Sequence, residues 1–187
     1  MKKLFLIIAL VGMLTPLSFG QEKKEEQFKI EWRPLKIAKS QFPRSIAMMD
    51  AERDNYAGNL AGVAIVQLRD RKVDKSSREL ALRMMSVALH LSPRNKRAVV
   101  LNAQLGRGMV PQPPEVDYQP KTLSALLMNR AKLLEKEGGK ENVGLAGYLF
   151  HLASELDPKN EDAIYLSELF RINHGEVDWS KLLLNRE

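Results

Sequence analysis

The sequence predicts an all-α fold, a helical-hairpin solenoid of about three helix pairs with a proline-rich interruption. Apolar residues recur at three and four through most of the chain after residue 45, the period of a helix with one buried face. The pattern breaks at Pro93, at Gly138-Gly139 and at Asp157-Pro158. Proline cannot continue the hydrogen-bond ladder and pushes the residue before it out of the α region, and glycine accepts the left-handed conformation that ends a helix. The chain also repeats itself. Residues 80–105 set against 145–170, a shift of 65, agree at eight of 26 positions: Leu80/Leu145, Ala81/Ala146, Ala88/Ala153, Leu91/Leu156, Pro93/Pro158, Asn95/Asn160, Ala98/Ala163 and Leu101/Leu166. These identities sit at seams and breaks, where a small residue sets how closely two helices approach and a proline sets where one stops.

Residues 1–20 read as a secretory signal peptide: Lys2 and Lys3, an apolar run from Leu4 to Leu14, then Ser18-Phe19-Gly20 around an expected cut. The run is too short for a membrane span, and an uncleaved anchor is the alternative. Residues 21–44 form a charged spacer, QEKKEEQ, followed by an extended segment in which Phe28, Ile30 and Trp32 alternate with Lys29, Glu31 and Arg33 up to Pro34. This segment is expected to cover the first hairpin, with a docking arm as the alternative. The helical domain spans 45–187. Its first helix runs from Ser45 to about Arg71, with a small-residue stripe of Ala57, Gly58, Ala61 and Gly62 that suits close helix packing. A second, capped by Ser76, runs through Leu91 with Leu80, Met84, Val87 and Leu91 inward, and a third spans about 95–107. Met48, Met49, Met84 and Met85 are expected as core filler.

The segment 108–120, GMVPQPPEVDYQP, carries four prolines and is expected as a stiff connector in place of a return helix; its Pro111-to-Pro114 spacing is a weak PxxP pattern. Helices follow over about 121–137, 142–156 and 160–173, the last capped by Asn160 and released at Gly175, and a short one runs from Val177 to about Asn185. Leu145, Leu149, Leu152 and Leu156 mark an inward face, and Ala163, Leu166, Leu169 and Phe170 restart it.

With Ala81, Ala88 and Pro93, and again Ala146, Ala153 and Pro158, holding small, small and proline at repeat spacing, the chain from about 45 to 185 resembles the tetratricopeptide repeat (TPR) family. The shift of 65 is close to two of that family's units of about 34 residues. The resemblance implies a right-handed stack in which the first helix of each pair lines a concave groove, here 53–70, 95–107, 121–137 and 160–173. It implies a protein or peptide partner in that groove, with Arg97, Gln104, Asn129 and Tyr165 as the expected contacts.

Charge is unevenly spread. Removing the first 20 residues leaves 27 basic and 23 acidic side chains; 21–107 carries a net +8 and 108–187 a net −4. Such a gradient would steer an acidic partner to the first half or favour head-to-tail self-contact, a solvated surface being the plain alternative. Cysteine is absent, which excludes a lipoprotein anchor and disulfides. The sequence holds no G-x-S-x-G turn, phosphate-binding glycine loop, H-E-x-x-H or calcium loop, and His90, His151 and His174 stand far apart. Neither enzyme activity nor a metal or cofactor is expected. Arg69, Arg71 and Lys72, with Arg94, Lys96 and Arg97, form basic clusters, but an exported protein is not expected to meet nucleic acid. Trp179, Leu182, Leu183 and Leu184 give the last helix more apolar surface than a solenoid end needs, which makes Trp179 and Leu183 the candidates for self-association. The expectation is an exported, periplasmic or secreted interaction module, with no stable membrane span after signal cleavage. Its rival is a self-assembling structural component of the cell envelope.

Overall fold

In the computed structural model residues 32–69 and 74–183 are described, and among them the chain forms seven helices and no strand. Helices α1 (Asp50–Arg69) and α2 (Lys75–Leu91) pack along one another, as do α4 (Pro120–Glu137) and α5 (Lys140–Leu156), and the two pairs meet where α2 packs on α5. Helix α3 (Lys96–Gly106) lies against α1 and α2, and α6 (Glu161–His174) lies against α5 and α4. A last turn, α7 (Ser180–Leu183), reaches back to α2. No helix among the described residues is long and apolar enough to cross a membrane. The expected signal peptide, the spacer 21–27, Phe28, Ile30 and Leu184 lie outside the described residues.

The repeated punctuation works as local chemistry. Asn95 and Asn160 cap α3 and α6 in the same way, each side-chain oxygen accepting the N–H three residues on, from Ala98 at 2.9 Å and Ala163 at 3.2 Å. Gly138 and Gly139 make the turn between α4 and α5 with φ of 70° and 81°, and Gly175 ends α6 at 88°, values at which other residues are strained. Several boundaries differ from those expected. Asp74, not Ser76, caps α2: its carboxylate accepts the Ser77 N–H at 2.8 Å, and an ionised oxygen is the stronger acceptor there. Helix α1 begins at Asp50 rather than Ser45, because the Ala47 backbone is bonded elsewhere, its N–H to Asn142 and its carbonyl to Arg130. Val177 does not open the last helix, since the Asp178 carboxylate takes the Ser180 N–H at 3.1 Å and turns the chain first.

One hydrophobic core runs through both halves, from Leu60, Ile65, Met84 and Met85 to Leu123, Leu145, Leu149 and Phe150. Met48 joins it, but Met49 is 75% exposed, because it stands just ahead of α1 on the solvent side.

The segment 32–49 and the residues after Gly175 bind across the helices. Asn102 of α3 holds the arm: it accepts from Trp32 Nε1 and the Leu35 N–H, both at 3.1 Å, and donates to the Leu35 carbonyl at 2.9 Å. Buried Arg53 donates to the carbonyls of Phe42, Pro43 and Leu91. His90, fully buried, accepts the Gln41 N–H at Nδ1 and places Nε2 3.2 Å from the Leu182 carbonyl, so one imidazole joins the arm to the C-terminal end. Only the neutral Nε2–H tautomer serves both bonds, and burial pushes the imidazole pKa down accordingly.

Candidate functional site

The candidate site begins with one face of α1. Asp54, Asn55, Gly58 and Asn59 recur at helical spacing, and the small Gly58 leaves open the space between α1 and the start of α3. Asn95 ties α3 to this face, donating to the Asp54 carbonyl at 3.0 Å and its carboxylate at 2.9 Å, and Ser92 donates to the same carboxylate at 2.7 Å. On the other side Asn59 holds the connector. Its amide oxygen accepts the Asp117 N–H and its amide nitrogen donates to the Asp117 carboxylate, both at 3.0 Å. One turn on, Gly62 lets the connector come close, for a Cβ there would stand 2.4 Å from Val116 Cγ1.

Between these walls lies an open cleft of about 520 Å³, whose rim carries Lys96, Arg97 and Val100 of α3. Its anionic side chains are occupied: Asp54 is bonded to Ser92 and Asn95, and Asp117 to Asn59. Its cations are not. Arg97 makes one long bond, 3.4 Å, to the Gly58 carbonyl, and neither it nor Lys96 forms an ion pair among the described residues. Both stand in the first turn of a helix with no acidic residue there, where the macrodipole favours negative charge. The cleft therefore offers fork-shaped and point-charge donors to carbonyls or carboxylates, with an apolar contact at Val100 beside them.

Of the four expected groove residues, only Arg97 lines this cleft. Gln104 is half-buried two turns further along α3, and Asn129 and Tyr165 are exposed on α4 and α6. A second, smaller cleft of about 380 Å³ opens between the start of α2, the end of α5 and α6, with Ser76, Glu155, Ile164 and Glu168 among its lining. Asn55, Asn59 and Asp117 were missed by sequence reasoning. The Asn-x-x-x-Asn spacing beside Gly58 was available as a signal, but nothing in the chain pointed to Asp117 as its partner 58 residues away.

Trp179 and Leu183 both sit against the chain's own core. The Trp179 ring meets Tyr148 edge-on at 5.0 Å and His151 at 5.5 Å, and the Arg83 guanidinium lies 5.3 Å over it while pairing with Glu155. Beside them the Tyr148 hydroxyl donates to the Asp178 carbonyl at 2.8 Å, and burial pushes its pKa up to about 12. Large exposed apolar residues lie elsewhere: Ile164, Tyr165, Leu169 and Ile172 along α6, Val99 and Val100 on α3, and singly Met49, Met109 and Leu133.

The chain matches no protein-family model, no curated protein and no solved structure.

Proposed function

We propose that the protein is an exported, non-catalytic interaction module of the helical-hairpin solenoid type, similar to tetratricopeptide domains, that binds an acidic stretch of a partner protein. The observation that carries this reading is the cleft between α1, α3 and the connector, where Arg97 and Lys96 form no ion pair among the described residues and stand beside the apolar Val100. Cationic donors at a helix start whose nitrogens are not taken up by the neighbouring carboxylates can pair with acidic groups that a partner brings. The net +8 of residues 21–107 acts in the same direction by drawing an acidic partner to this half.

The test is crosslinking of the tagged protein in its own envelope, followed by mass spectrometry of what it retains. A dominant protein lost on Arg97→Glu, with helix content unchanged, is the expected result. Retention unaffected by Arg97→Glu and Lys96→Glu together would remove the cleft from the account.

A further inference from the structure

The internal repeat places α3 and α6 at equivalent positions, and their first five residues are Lys96-Arg97-Ala98-Val99-Val100 and Glu161-Asp162-Ala163-Ile164-Tyr165. Both alanines are fully buried, so the two helices are anchored through the same position. Both present the same outward pattern: Val99 and Val100 are 43% and 46% exposed, Ile164 and Tyr165 41% and 64%. At the two preceding positions the charge is reversed, Lys96 and Arg97 against Glu161 and Asp162. Further along, α6 keeps Leu169 and Ile172 exposed, the latter at 73%, while Glu168 is paired with Arg171 of the same helix at 2.8 Å. Among the described residues neither face is covered by another helix: α3 is followed by the connector, and the chain after α6 turns back toward α2 and α5.

We infer that the partner of the α3 face is the α6 face of a second copy of this chain. Two apolar helix faces of matching layout and opposite charge are complementary to one another, whereas each would repel its own like. Because the two faces lie in different halves of one molecule, the contact is heterologous, and it extends head to tail unless the rotation closes a ring. This inference rests on the reading of the α3 side of the cleft as a binding surface, and it names what binds there.

The experiment is analytical ultracentrifugation of the full chain without its first 20 residues, over a concentration series at low and at about 0.5 M salt. Two surface variants, Val100→Asp and Tyr165→Asp, are run alone and mixed, with circular dichroism to confirm that each is folded. The wild type is expected to grow in mass with concentration and less so at high salt. Each variant alone is expected to associate about 30-fold more weakly. An equimolar mixture is expected to stop at dimers, because it retains one intact α3 face on one chain and one intact α6 face on the other. A wild type that stays monomeric at every concentration would overturn the inference, and so would a dimer abolished by only one of the two variants. A monomer that still retains a foreign protein through Arg97 would leave the proposed function standing without this partner. A monomer whose retained proteins ignore Arg97→Glu would remove both.

Discussion

Substituting Gly106 by alanine tests the docking of the N-terminal arm on α3. Gly106 is the last residue of α3 and has no positive φ, so its backbone does not require glycine. In an open helical position the change would stabilise the protein by up to about 1 kcal/mol, because alanine loses less conformational freedom. Here the new Cβ would lie 2.1 Å from Pro34 Cγ and 3.0 Å from Cδ. A proline ring cannot rotate away, and the arm is held on either side of it by the bonds of Trp32 and Leu35 to Asn102. Overpacking of this kind costs about 1–3 kcal/mol, so the net expectation is a loss of about 1–2 kcal/mol, or about 3–6 °C in Tm. Gly144→Ala is the control, since it stands in α5 with nothing within 4 Å of its added Cβ; it should raise Tm by about 2 °C. Thermal unfolding by circular dichroism gives both values, and the emission of Trp32, one of two tryptophans, reports release of the arm. Equal stabilisation by both alanines, with unchanged emission, would refute the docked arm.

Three further predictions concern the polar anchors. Asn102→Ala leaves the Trp32 indole N–H and both Leu35 backbone groups without partners, and should lower unfolding stability in urea by about 2–4 kcal/mol. His90 has a depressed pKa in the fold, so its contribution is present above the ordinary histidine range and is lost as pH falls below about 6.5. Denaturation midpoints across pH 5 to 8 should drop at the acid end, and His90→Gln, although less stable at pH 8, should flatten that slope. Arg83→Ala removes both the cation over Trp179 and the Glu155 pair, and should cost about 1–2 kcal/mol with a red shift in Trp179 emission; unchanged emission would argue against that stacking.

Local punctuation was legible in the sequence, because it acts within a few residues. Asn160, Asp157-Pro158, Gly138-Gly139 and Gly175 do what their chemistry dictates, and the small-residue stripe of α1 packs closely as expected. Ser76 lost the cap to Asp74, two residues earlier, because both suit the role and the ionised carboxylate is the stronger acceptor. The long-range anchors were not legible. Arg53, His90 and Asn102 read as ordinary helix residues, yet their partners lie 10 to 92 residues away and, the Trp32 indole apart, are backbone groups, which carry no sequence signature. The same holds for the cleft: Arg97 was visible as part of a basic cluster, while its neighbours Asn59 and Asp117 meet only because the connector folds back over α1.

The cleft beside Arg97 is the place proposed for this protein to meet another. A photo-activated crosslinking residue at position 55, exposed on the cleft wall, tests it in living cells against the same residue at position 140, exposed at the start of α5. One discrete protein adduct is expected from position 55, whether a foreign chain or a second copy, absent from position 140 and lost on Arg97→Glu. The same adducts from both positions, indifferent to Arg97, would contradict it.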